Sequence, residues 1–141
     1  MPLYVPDTSV MLKWVLPEAG ESHVAEALAL LAAYRDGLAE LVVPSLWQYE
    51  AGNVLGLHYP DIARDRLETL VNLGVRAAEL GPAGRTLALE LVAAHRVSFY
   101  DAAYHALALQ SGGDFITADR RYHDKAVTRG QVKLLSEWQR P

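Results

Sequence analysis

Cysteine is absent from this chain of 141 residues, which excludes disulfides, thiolate zinc sites and cysteine nucleophiles together. Histidine is scarce, five scattered residues with no HExxH spacing, so any bound metal would be held by oxygen. No stretch approaches the roughly 20 apolar residues of a membrane span. The opening MPLYVPDTSV has neither the basic nor the apolar region of a signal peptide. A soluble, cytoplasmic protein with no membrane association is the expectation. A basic excess is missing too: the net charge of −4 argues against a protein that holds nucleic acid through a global positive field. Repeats, low-complexity tracts and linkers are absent, so residues 1–141 are expected to form one domain.

What the chain does have is apolar content, 51%, enough at this length for a substantial core. Its charge is uneven. Residues 120–141 carry six basic and two acidic side chains, a net +4, so the preceding residues carry −8. The basic end begins directly after Asp119 and reads either as a solvated tail helix or as a surface for backbone phosphates.

Short β-branched runs alternate with helical patterns: LYV, LVV, VRAAEL, FIT and VKLL are the strands. That alternation predicts βαβ units, an α/β fold with a parallel sheet flanked by helices. A helix from about Glu21 to Asp36 stops at Gly37. Ser45 and Gln48 are spaced as a capping box for a helix that carries Glu50 early and Asn53 one turn later. Further helices are expected over residues 61–74, after Pro82, and from Ser98 to the Gly112-Gly113 pair, with Ser98 and Asp101 forming a second capping box.

Acidity is misplaced at four positions. Most carboxylates, such as Glu21, Glu26, Asp61 and Glu68, lie in polar surroundings, whereas Asp7, Glu50, Asp101 and Asp119 sit in or directly behind apolar stretches. Burying an unpaired carboxylate is costly. Each has an ordinary explanation: Asp7 as an N-cap, Asp101 as part of its capping box, Asp119 as a turn residue, Glu50 on a solvated face. Their coincidence does not. Asp7 and Asp119 follow strands, and Glu50 and Asp101 lie near helix N-termini, so all four can meet beyond the carboxyl ends of a parallel sheet, where such folds bind ligands. Together they would repel one another unless Mg²⁺ or Mn²⁺ were bound. Such a cation supports phosphodiester hydrolysis. Thr8, Ser9 and Thr117 are candidate hydroxyl supports, Asn53 a candidate partner of Glu50, and Arg120, Arg121 and Lys13 candidate phosphate contacts. Trp14, Trp47 and Tyr104 read as core or interface, and His105 and His123 as surface or satisfied interior residues.

Four stretches, VPDTSVMLKW, PSLWQYEAGNVL, VSFYDAAYHALAL and FITADRRYHDKA, occur in the order of the PIN-domain family, and the chain most resembles its VapC-type ribonuclease toxins. The resemblance implies a PIN fold and metal-dependent endoribonuclease activity. It makes Asp7, Glu50, Asp101 and Asp119 the acidic metal-site residues, with Asp7 and Asp101 as direct Mg²⁺ ligands and Asn53 and Thr117 as supports. It also implies a homodimer, a cognate antitoxin, and a transfer or ribosomal RNA target. Pro6 departs from the apolar residue usual before the first aspartate, and Asp124 is an additional acid near the fourth. The other readings are a PIN-like binding module without catalysis, a receiver domain, and a haloacid-dehalogenase-type phosphatase. A receiver lacks its aspartate in VRAAELGPAG, and Ser9 occupies the second acid position of the phosphatase motif.

Overall fold

The computed structural model describes residues 1–141, the side chain of Glu18 excepted. Five strands, β1 (Leu3–Pro6), β2 (Glu40–Pro44), β3 (Arg76–Ala78), β4 (Asp114–Thr117) and β5 (Val132–Leu134), form one sheet in the order β3-β2-β1-β4-β5, every pair parallel. Seven helices connect them: α1 (Thr8–Lys13), α2 (Val24–Arg35), α3 (Trp47–His58), α4 (Ala63–Asn72), α5 (Gly81–His95), α6 (Phe99–Ser111) and α7 (Arg120–Ala126). The α/β fold with a parallel, helix-flanked sheet is therefore the one the alternating pattern predicts. No helix among the described residues is long and apolar enough to cross a membrane.

Successive strand residues point to opposite faces, and here both faces are apolar. Tyr4, Leu41, Val43 and Ile116 enter a core with Val10 and Met11 of α1, Leu30 of α2 and Leu55 of α3. Their neighbours Val5, Val42 and Phe115 pack on the other side against Tyr104 and Leu107 of α6 and Tyr122 of α7. Burial on both faces is why these strands read as continuous apolar runs rather than alternating ones. Helix α5 stands outside α6, held by Ala88 and Leu91 against Ala102 and Ala106. His105 is fully buried and satisfied, within 2.7 Å of both the Tyr122 hydroxyl and the Gly130 carbonyl oxygen; burial holds its pKa below the ordinary value.

Chain order runs outward from β1 on one side to β2 and β3, and on the other to β4 and β5, so the direction of winding reverses between β1 and β4. This is the switch point at which parallel sheets open a crevice. Pro6, the last residue of β1, pairs with Ile116, and the missing donor is made good one residue later, where the Asp7 N–H donates to the Ile116 carbonyl at 3.0 Å.

Two local expectations are overturned. The helix expected from Glu21 begins only at Val24, because His23 lies in the left-handed region at φ 61° and Glu21 is turned back toward Lys13. Ser45 caps nothing: α3 begins without a side-chain cap, and the Ser45 hydroxyl donates to Glu79 beyond β3. A tertiary acceptor has displaced the capping box. At the other predicted box, Ser98 accepts from the Asp101 N–H at 3.1 Å as expected.

The β1–β4 junction leaves no room for side-chain atoms at Gly113. A Cβ there would stand 2.5 Å from the Leu3 carbonyl oxygen, a backbone atom that cannot step aside. Gly113→Ala should cost about 2 kcal/mol in urea unfolding, within the usual range for overpacking. A variant as stable as the parent would show that the two strands separate more easily than this close approach allows.

Candidate functional site

Each of the four acids is placed by a different local device. Asp7 ends the turn after β1 and caps α1, its Oδ1 accepting from the Val10 N–H at 3.1 Å. Asp119 follows β4 and caps α7, Oδ1 accepting from the Tyr122 N–H at 3.2 Å. Glu50 and Asp101 lie in the first turns of α3 and α6. All four line a single cavity of about 230 Å³, with Thr8, Ser9 and Tyr104 among its other walls. The convergence inferred from the sequence is therefore present at the level of the cavity.

Hydroxyl groups fix the orientation of the acids. Asp7 receives Ser9 on Oδ1 and Thr117 on Oδ2, and the Thr117 hydroxyl in turn accepts from the Asp119 N–H at 3.0 Å. One buried threonine thus links the two strand-end aspartates. Glu50 Oε1 accepts from the Tyr104 hydroxyl at 2.6 Å, with Thr8 Oγ1 3.1 Å from that oxygen and 2.6 Å from the tyrosine. Glu50 Oε2 has no donor among the described residues.

Charge in this cavity is poorly compensated. Burial pushes Asp7 up to about 6 despite its three hydrogen bonds, and the Asp101 charge adds to the effect. Glu50 is raised by burial and by Asp101, against the hydrogen bonds of Tyr104 and Thr8. Asp101 is raised by burial and by Asp119, against a hydrogen bond from Ser98. The Tyr104 hydroxyl is driven well above its ordinary range, by burial first and then by its bond to Glu50, so it remains a donor.

The donor chemistry fits a hard divalent cation, which prefers carboxylate and hydroxyl oxygen. The fit is one of ligand type: among the described residues no three acidic or histidine side chains stand close enough to enclose an ion without moving.

Other sequence candidates are sorted by their surroundings. Asn53 is exposed and makes no hydrogen bond to Glu50, so it does not orient that carboxylate. Lys13 is buried, its Nζ donating to Glu21 Oε1 and the Ser22 carbonyl, both at 2.9 Å; it lines a neighbouring cavity of about 360 Å³ that shares Ser9 and Asp119 with the carboxylate cavity. Arg120 and Arg121 are exposed beside Asp119. Asp124 lies outside the carboxylate cavity and pairs with His123 at 3.1 Å. Trp14 and Trp47 are core residues, Trp14 donating to the Ala27 carbonyl at 2.7 Å. Tyr104 is core and site at once. In the sequence Tyr104 reads as core or interface, and its position one turn after Asp101 on α6 is the signal that links it to the acids.

The Asp7 value lies above the ordinary 3.8, so folding favours its protonated form. The stability it contributes is fully present below about pH 4 and is lost as pH rises through about 6. In chelator, Asp7→Asn should flatten the decline of the thermal midpoint between about pH 4 and about pH 7. An unaltered decline would count against a desolvated Asp7.

No curated protein sequence matches the chain. Among solved structures, that of PAE2754 from Pyrobaculum aerophilum is 20% identical with a TM-score of 0.65, the match covering 96% of this chain and 92% of that one. VapBC2 from Rickettsia felis, solved bound to a DNA fragment from their promoter, contains a chain 12% identical with a TM-score of 0.68, covering 97% of this chain and 99% of the other. At such identities the likeness is one of fold. The PIN domain model matches residues 4–127, from within β1 to just past the end of α7, and on that match this chain belongs to the PIN domain family.

Proposed function

We propose that residues 1–141 form one PIN domain acting as a Mg²⁺- or Mn²⁺-dependent endoribonuclease, the toxin of a type II toxin–antitoxin pair. The observation that carries the reading is the shared cavity: four carboxylates from four separate elements, three with raised pKa, at the switch point of a PIN fold. A structural role for one such acid is ordinary. Four acids in one cavity, none of them in a salt bridge among the described residues, make sense when the balancing charge comes from a ligand.

Asp7 and Asp101 are the residues we assign to direct cation ligation, with Asp119 and Glu50 completing the acidic set. When bound, the cation supplies an activated water and neutralises charge developing on the phosphoryl group. The chain's own residues do the positioning. Ser9, Thr117 and the Val10 N–H hold Asp7 in one orientation, and Tyr104 holds Glu50 through Oε1, leaving Oε2 for the site. Arg120 and Arg121 stand where they can meet substrate phosphates. Membership of the family and the VapBC2 likeness support a protein antitoxin as partner, and we extend the reading to a homodimer, a cytoplasmic location, and transfer or ribosomal RNA as substrate.

The test is digestion of total RNA by the purified chain with Mg²⁺ or Mn²⁺ and with chelator. Discrete fragments that require the metal are expected, and Asp101→Asn should reduce their rate by about 100-fold or more, since a direct cation ligand should cost at least as much as the outer partners of such ligands, about 10- to 100-fold. Full activity in Asp101→Asn and Asp7→Asn would sink this mechanism, and metal-dependent folding without cleavage would favour a PIN-like binding module. Tyr104→Phe should lower the rate by about tenfold, near 1.4 kcal/mol, with the cation dependence kept. An unchanged rate would show that the Glu50 orientation does not limit turnover.

A further inference from the structure

Beside the carboxylate cavity lies a second depression of about 210 Å³, which shares Asp101 and Asp119 with it and is otherwise framed by Arg96, Arg121, Lys125 and Ser98 together with Val97 and Tyr122. Three cations next to two carboxylates would ordinarily be read as ion pairs. They are not: among the described residues Arg96, Arg121 and Lys125 make no salt bridge, whereas Lys13, Lys133 and Arg140 are paired with Glu21, Asp114 and Asp36.

These three come from distant parts of the sequence. Arg96 closes α5 in the left-handed region, at φ 57°, a position where an arginine carries a backbone cost that glycine would not. Lys125 donates from Nζ to the Arg96 carbonyl at 3.2 Å, tying α7 to the α5–α6 turn, and Arg121 stands one helical turn before Lys125 on α7. All three are exposed and outside any salt bridge among the described residues, and Lys125, with one of its three donors on the Arg96 carbonyl, keeps the other two for a ligand. A guanidinium pair and an ammonium around one polar depression suit a phosphodiester, because arginine binds phosphate oxygens bidentately and lysine supplies a compact point charge.

We infer that Arg96, Arg121 and Lys125 form a clamp for a backbone phosphate of the RNA strand adjacent to the one cut, holding the strand on the α6–α7 side of the carboxylates. The inference rests on the proposed nuclease reading and adds a direction to it. A net-negative chain gains local affinity for a polyanion only where its cations are concentrated and unspent, and this depression meets both conditions beside the acids. The clamp grips backbone and so carries no base preference.

The test uses Asp7→Asn protein, to prevent cleavage, and a labelled single-stranded RNA pool of about 12 nucleotides, within the range that such grooves cover. Arg96→Gln, Arg121→Gln and Lys125→Gln should each weaken binding by about fivefold and together reduce the salt slope by about 0.7 for each phosphate no longer engaged. Arg35→Gln, an equal charge change on an exposed residue at the end of α2, on the opposite face of the sheet from α7, should leave both unchanged. On a dinucleotide, which has no neighbouring phosphate, Arg96→Gln and Lys125→Gln should match the parent. The clamp is overturned if binding and salt slope survive the triple change, or if the dinucleotide is affected equally. Total-RNA cleavage by the protein with Asp7 intact separates the two readings: cleavage with an insensitive triple variant removes the clamp and keeps the nuclease. Clamp-dependent binding without cleavage by the parent removes the nuclease and keeps the clamp.

Discussion

Asp7 occupies the point where three elements meet. Its N–H closes the ladder between β1 and β4, its Oδ1 starts α1, and its Oδ2 takes the hydroxyl of Thr117 at the end of β4. One residue therefore closes the central ladder through its backbone, while its carboxylate sets where the first helix begins and ties down the end of the neighbouring strand. These bonds favour the ionised form, yet burial outweighs them and leaves the group raised to about 6. Stability and site chemistry are opposed at this residue: the position that organises the junction is also one that would gain most from an arriving positive charge.

The remainder of the candidate site follows from the same topology. Because winding reverses between β1 and β4, the segments leaving those strands diverge to opposite faces, and the gap between them is filled by the first turns of α3 and α6. Glu50 and Asp101 enter through that gap. Tyr104 closes its floor, stacked at 5.9 Å on Phe115 in the core while its hydroxyl reaches Glu50. The hydrophobic core and the polar site thus share a side chain, which makes the orientation of Glu50 a consequence of core packing.

Much of the fold was legible because the sheet is buried on both faces. Apolar runs such as LVV and FIT, separated by helical patterns, leave few arrangements other than parallel βαβ units. The suspicion attached to Asp7, Glu50, Asp101 and Asp119 was legible for a related reason: a carboxylate within an apolar stretch violates the local pattern, and such violations concentrate at sites of function. Less legible were residues whose role is decided by a distant partner. Ser45 has the spacing of a cap but bonds to Glu79, Asn53 shares a helical face with Glu50 but is exposed, and Lys13, which reads as a free cation, is buried against Glu21.

By itself the sequence determined the element types and singled out four acids as out of place in their apolar surroundings, since these depend on periodicity and on side-chain chemistry carried along the chain. Tertiary structure alone decided that Tyr104 belongs to Glu50, that Thr117 ties Asp7 to Asp119, and that Arg96 meets Arg121 and Lys125 around one depression. Glu50 and Tyr104 stand 54 positions apart in the chain, Asp7 and Thr117 110. No local spacing encodes such pairings, because they exist only once strand order and helix packing have brought the segments together.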